Sequence, residues 1–339
     1  KEAYVQALSM IDCSEYLPQL EVRLQELVAY DAPEEEKKHV QAEIRALQEL
    51  LLQKKGVKKH TFNGWNRSSE VLLLTIPVFR DALAEEVTGK KKVLKSGVRT
   101  IVPDFETVMK IRTIQELLFV IHTQTEGNVL SADPETLAAQ LAESDLMQIL
   151  AETHKGDVPF CFRIGVSGAM SLEERSIFSK RVATAIEGAF ERNLINSTSH
   201  YEVELRLLQH REGGFVPLLK LYTLPDHRFD YRRYYVAASM KPMMAAGLMA
   251  LAKPYLKEYA QILDPFCGVG TLLMERRFAV PARNAYGIDT FGEAIEKARV
   301  NSKIAGMQTN YINRDYFDFV HDYKFDEIVT DLPAGNLSK

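Results

Sequence analysis

The chain has 339 residues, 46% of them hydrophobic and 26% charged, with three cysteines and a formal net charge of -4. At roughly 150 residues per domain this predicts two or three domains, and the composition excludes a largely disordered, a collagen-like or a disulfide-scaffold chain. Cys13, Cys161 and Cys267 stand far apart without CxxC spacing; they make no zinc site or disulfide framework and fit a reducing interior such as the cytosol.

Residues 1–50 carry 11 acids against 5 Lys and Arg, whereas residues 51–100 carry 11 Lys and Arg against 4 acids. The positive charge falls in two runs, Lys54, Lys55, Lys58 and Lys59, then Lys90, Lys91, Lys92 and Lys95. Such runs suit either phosphate contact or solvated turns. The longest apolar stretch, Met243 to Ala252, is too short to span a bilayer, and no charged-then-apolar leader stands at the start. A first residue of Lys1 instead of methionine predicts a piece of a longer protein.

Residues 1–60 read as an antiparallel helix pair. Leu17, Leu20, Leu24, Leu27 and Val28 recur at helical spacing, as do Val40, Ile44, Leu47, Leu50 and Leu51. Pro33 followed by Glu34, Glu35 and Glu36 suits a first turn, since proline needs no donor there and acids face the positive end of the dipole. This segment suits packing or contact with a protein partner, and could end a helical repeat. From Thr61 the pattern changes to strands at Val71–Ile76, Val98–Val102 and Leu117–Ile121, with an amphipathic stretch after Pro77. That predicts a small ferredoxin-like α+β domain over 61–133.

A second α+β unit with its linker fills 134–235. A helical connector near 134–152 precedes a strand at Phe160–Val166 and a helix at Leu172–Phe190. Tyr201–Leu208 alternates apolar and charged residues, Gly213-Gly214 turns, and Val216–Tyr222 returns antiparallel. Phe229–Tyr235 (FDYRRYY) packs aromatics around Arg232 and Arg233, which suits stacking on RNA or interdomain packing.

Residues 261–275 (QILDPFCGVGTLLME) carry the chemistry. An apolar strand ends in Asp264, Gly268 and Gly270 form a tight loop, and Thr271 opens a helix. A dinucleotide site would place a third glycine where Leu273 stands. Asp264 would repel a pyrophosphate and attract a cation, which suits S-adenosylmethionine. Asp289 closes a second strand about twenty residues on, where a carboxylate can accept ribose hydroxyls. Asp315 follows a third strand, to take the adenine amino group, and Asp331 a fourth. Four acids at consecutive strand ends behind one glycine loop form a set.

These residues, DPFCGVGT with GID, the Asp331 segment and the upstream Met240-Lys241-Pro242 helix start, resemble the THUMP-type, S-adenosylmethionine-dependent RNA methyltransferases. Their close relatives methylate guanosine N2 in tRNA or ribosomal RNA. The resemblance covers about 61–339 and implies a ferredoxin-like and a THUMP RNA-binding region before a Rossmann-like α/β domain at 236–339. Segment 1–60 is not part of that pattern. It implies that Asp264, Phe266, Gly268 and Gly270 line the methionine end of the cofactor, with Asp289 at the ribose and Asp315 at the adenine.

Asp331, Leu332 and Pro333 then occupy the family's (D/N)PP(Y/F) motif. There an acid and the next carbonyl accept both N–H bonds of the target amine and aim its lone pair. Ala334 replaces the aromatic that stacks on a flipped base. Only four of seven sheet strands are read before Lys339, so the domain is expected to be truncated. The expected partners are structured RNA, reached partly through Lys90, Lys91, Lys92, Arg232 and Arg233, and no membrane. No metal is expected, since the histidines lack ligand spacing. Alternatives are a non-catalytic RNA-binding protein with the same fold, motivated by Ala334, and a nicotinamide-dependent oxidoreductase, disfavoured by Leu273 and Asp264.

Overall fold

The computed structural model describes residues 2–9, 11–55, 60–65, 68–156, 159–237 and 239–333. Lys58, Lys59 and Ala334 lie outside the described residues. The chain opens on three helices, α1 (Glu2–Ser9), α2 (Leu17–Ala29) and α3 (Glu34–Lys55). The leucine spacing predicts only the latter two. The short α1 adds a third, joined to the rest by Val5, which shares one buried cluster with Cys13, Leu17, Leu27, Ile44, Leu47 and Leu50. Glu34, Glu35 and Glu36 occupy the first turn of α3, as the dipole favours.

Next come β1 (Thr61–Phe62), β2 (Ser69–Leu74), α4 (Arg80–Glu86), β3 (Lys91–Leu94), β4 (Gly97–Val102), α5 (Phe105–Met109) and β5 (Glu116–Val120). β2 pairs antiparallel with both β4 and β5, and β3 pairs with β4. Asp104 caps α5 by accepting from the Thr107 N–H at 2.7 Å. The second lysine run is partly structural: Lys91 and Lys92 start β3. The Lys91 ammonium donates to the Val87 carbonyl at 2.7 Å and to that of Ala84. That places a cation at the negative end of α4.

The chain continues through α6 (Pro134–Ala142), α7 (Leu146–Thr153), β6 (His154–Lys155), β7 (Phe160–Ser167), α8 (Leu172–Ala189), β8 (Leu194–Asn196), β9 (Val203–Gln209) and β10 (Phe215–Leu221). Asp133 caps α6 ahead of Pro134, and Ser171 and Glu174 form a reciprocal capping box on α8. β10 returns antiparallel along β9, while β7 runs parallel to β8 and β9.

The last stretch alternates helix and strand: α9 (Pro242–Ala252), β11 (Ala260–Asp264), α10 (Thr271–Ala279), β12 (Ala282–Asp289), α11 (Gly292–Ile304), β13 (Asn310–Asn313) and β14 (Glu327–Ile328). Each strand returns through a crossover, so the sheet is parallel, in the order β13-β12-β11-β14. All five residues of β11 are buried, as a central parallel strand requires. The winding reverses at β11, and such a reversal opens a crevice at the carboxyl ends of the strands.

Packing groups these elements into two compact units, residues 1–65 with 120–225 and residues 66–119 with 226–339. In the first, the His60 ring stacks on Phe160 at 3.5 Å between centroids and its Nδ1 lies 3.2 Å from buried Glu202. In the second, segment 226–235 is anchored from both sides. Arg228 donates to the Ile111 and Ile114 carbonyls, and the Tyr231 hydroxyl donates to Glu275 of α10 at 2.6 Å. Arg112 grips the same carboxylate through two bonds of 2.7 and 2.8 Å. Fully buried Arg276 of α10 binds Glu327 of β14, fixing the helix to the edge strand. Among the described residues no helix is long and apolar enough to cross a membrane.

Candidate cofactor site

The carboxyl ends of β11, β12 and β14 assemble the site around one loop. Asp264 ends β11 and is 1% exposed. Its Oδ1 accepts from the Phe266 N–H at 3.0 Å and from the Thr330 hydroxyl at 2.7 Å. Burial pushes its carboxyl up to about 7; those two bonds oppose the rise, and the charges of Asp289 and Asp331 add to it. Asp264 therefore sits within the field of both other acids.

Asp289, at the end of β12, holds the loop itself. Its Oδ2 accepts from the Gly268 N–H at 2.9 Å and its Oδ1 from the Phe291 N–H at 2.8 Å. A carboxylate has about four lone-pair sites, so two backbone bonds leave acceptor capacity for ribose hydroxyls. Gly268 (φ 52) and Gly270 (φ 77) both lie in the left-handed region. A Cβ at Gly268 would meet nothing within 4 Å, so the loop faces open space there. At Gly270 it would sit 2.3 Å from the buried Tyr311 hydroxyl. Gly270→Ala is accordingly expected to lower stability by about 2–4 kcal/mol, from left-handed strain plus overpacking. Chemical denaturation would read this, and an unchanged midpoint would show that the loop relaxes freely.

The remaining expected residues fall in different places. Phe266 is half-buried, its ring 6.0 Å from that of Tyr316. Asp315, exposed after β13, accepts from the Phe317 N–H at 2.9 Å and so caps the turn carrying Tyr316. Asp331, Leu332 and Pro333 follow β14, all exposed. Arg232 is drawn in: its Nε lies 3.3 Å from the Thr271 hydroxyl where α10 begins, and burial lowers its pKa. Arg233 is exposed. Among the described residues no hydrogen bond joins Lys90, Lys91 or Lys92 to the loop. Cys267 is buried, and burial beside Asp264 and Asp289 pushes its thiol up, which keeps it protonated and unreactive.

Three contributors have no signal in the sequence reading. Thr330 holds Asp264, Tyr311 fills the space under Gly270, and Tyr316 packs beside Phe266. Thr330 stands one residue before Asp331 and Tyr316 one residue after Asp315, positions that could have flagged them only once the strands were known to be neighbours.

A parallel sheet whose order reverses at its first strand, with a glycine loop there and carboxylates at successive strand ends, defines an open-sheet α/β protein with its crevice at the carboxyl ends of the strands. The comparisons make this specific. Residues 230–337 match the model of the family described as UPF0020: RMKL-like, methyltransferase domain. It is 33% identical over 127 residues to the tRNA (guanine(10)-N2)-dimethyltransferase of Methanothermobacter thermautotrophicus. That match takes in 36% of this chain and spans only 37% of the relative's length. The fold is similar to that of TrmN from Thermus thermophilus, with a TM-score of 0.58 and 19% identity over 78% of this chain and 79% of TrmN. It is similar too to SMU.472 complexed with SAH, with a TM-score of 0.58 and 15% identity over 79% and 81% of the two chains. The α/β architecture with mixed sheets is thus shared over most of the chain.

Proposed function

We propose that this protein is a cytosolic enzyme that methylates structured RNA, tRNA or ribosomal RNA, at the exocyclic N2 of guanosine, using S-adenosylmethionine. The observation that carries the reading is the convergence of Asp264, Asp289 and Asp331 on one glycine loop. A site edged with carboxylates favours a cationic ligand, and the open space over Gly268 gives such a ligand room beside main-chain N–H groups. The relative's activity on guanine N2 of tRNA supports the substrate. In this reading 61–133 and 134–235 are ferredoxin-like and THUMP-like RNA-binding regions, 236–339 is the Rossmann-like catalytic domain, and 1–60 is an added helical segment.

When bound, the cofactor supplies a methyl group on a positive sulfur. The protein's own part is orientation. Asp264, Phe266, Gly268 and Gly270 hold the methionine end, Asp289 the ribose and Asp315 the adenine. Asp331 and the Leu332 carbonyl accept the two N–H bonds of the guanine amine and turn its lone pair toward the methyl, with Pro333 stiffening the segment. Ala334 removes the expected stacking ring, worth roughly 1–3 kcal/mol, and this favours a second reading in which the fold binds RNA without turnover.

Calorimetry with S-adenosylhomocysteine and with NAD tests the cofactor. Binding of NAD alone would refute it. Asp289→Ala is expected to weaken S-adenosylhomocysteine binding by tenfold or more, about 1.4 kcal/mol, since both the ribose acceptor and the Gly268 tether are lost. Unchanged affinity would remove Asp289 from the site.

A further inference from the structure

We infer that a basic cleft at the opposite end of the same parallel sheet binds the phosphodiester backbone of a structured RNA. The inference rests on the RNA substrate proposed above and adds a second place where that RNA touches the catalytic unit. The cleft, about 620 Å³, lies where β12 and β13 begin, between the last turn of α10 and the second half of α11. Arg277, Arg283, Arg299 and Lys303 line it, and among the described residues the rest of its lining is uncharged.

These cations are largely uncompensated. Arg277 donates to the Gln308 carbonyl at 2.6 Å and the Thr309 hydroxyl at 3.2 Å, both neutral, and burial lowers its pKa. Among the described residues Arg283 reaches only the Gln261 side-chain oxygen, at 3.4 Å. Among the described residues Arg299 is the one of the four with an acid, Glu296, and it also donates to the Tyr311 carbonyl. Among the described residues Lys303 makes no ion pair. Four cations drawn together against a single acid, Glu296, raise the local potential, and a polyanion relieves it. The wall offers donors, and guanidinium groups match phosphate oxygens in pairs. Cations spread over a helix end, a strand start and a second helix suit successive phosphates better than one small anion.

Arg283 and Asp289 are six residues apart on β12, about 20 Å at 3.3 Å per residue. Only an RNA that extends well past its target nucleotide can use both ends. The test compares the protein with Arg283→Gln/Lys303→Gln and with the charge-keeping Arg283→Lys/Lys303→Arg. Each is titrated with bulk tRNA and with a five-nucleotide single strand from 50 to 200 mM salt, and with S-adenosylhomocysteine. The glutamine pair is expected to bind tRNA about tenfold more weakly, with a salt slope smaller by about two. The five-nucleotide strand and S-adenosylhomocysteine should bind as before, and the charge-keeping pair should restore tRNA binding. Unchanged tRNA affinity and slope in the glutamine pair would overturn the inference while leaving the substrate reading intact. Unmodified protein that binds S-adenosylhomocysteine but no tRNA would overturn the substrate reading, and this inference with it. Polyglutamate is titrated in parallel, and a glutamine pair that loses polyglutamate binding while binding tRNA as before would assign the cleft to an acidic protein instead.

Discussion

Asp264→Asn is expected to make the protein more stable at pH 8 and less able to bind S-adenosylmethionine. Asp264 is buried and its carboxyl is held up at about 7, against an ordinary value of 3.8. Below about pH 4 it is protonated in both the folded and the unfolded chain. As the pH rises above that, the unfolded chain ionises first, and the folded state loses stability relative to it until the folded group ionises near 7. The full loss, on the order of 4 kcal/mol, is present above that point. An asparagine keeps an Oδ1 to accept from Phe266 and Thr330, and it never ionises. Thermal melts should therefore diverge with pH, the variant gaining at pH 8 and matching the parent near pH 4. Binding should move the other way. The ionised carboxyl attracts a sulfonium, so the parent's affinity for S-adenosylmethionine should rise from pH 6 to pH 8, and the variant's should not. S-adenosylhomocysteine has an uncharged sulfur and should lose less. Equal losses for both ligands, or no stability gain at pH 8, would reduce Asp264 to a hydrogen-bonding post.

That pairing of strain and function shows why some of the site was readable and some was not. The loop announces itself because an acid, two glycines and a helix start are contiguous in the chain, and glycine takes φ 52 and φ 77 without the strain a side chain adds there. Strand periodicity places Asp289 at the end of its strand in the same way. Its tether to Gly268 is invisible, because it depends on β12 lying beside β11 in a register that sets Asp264 against Gly287. Thr330 reaches Asp264 across 66 positions for the same reason. The lysine run is legible only as charge. Charge density alone suits phosphate contact or solvated turns alike, and it does not show that the Lys91 ammonium donates to the carbonyls ending α4. The basic cleft shows no run at all, since Arg277, Arg283, Arg299 and Lys303 come from three elements. The two-unit packing was hidden too: local patterns describe successive segments, while residues 66–119 pack with 226–339 through contacts such as Arg112 to Glu275.

Asp331→Ala in the full chain is expected to lower the methyl-transfer rate by 100-fold or more, the usual cost of losing one oriented polar group at a reacting centre, while sparing S-adenosylhomocysteine affinity. The effect should fall on kcat, because the acceptor matters most as the amine's lone pair turns toward the methyl. Asp331 has a second, electrostatic role that separates its functions. Its charge helps raise the Asp264 carboxyl. Removing it should lower that pKa, so the rise in S-adenosylmethionine affinity with pH should shift to below about 7. Asp331→Asn removes the charge and keeps an acceptor oxygen. It should show the same shift in the binding profile and yet recover much of the lost rate. If asparagine shifts the profile and turnover stays as low as in the alanine variant, the negative charge is what the amine requires. If alanine retains turnover, another group orients the nucleophile and Asp331 only tunes its buried neighbour.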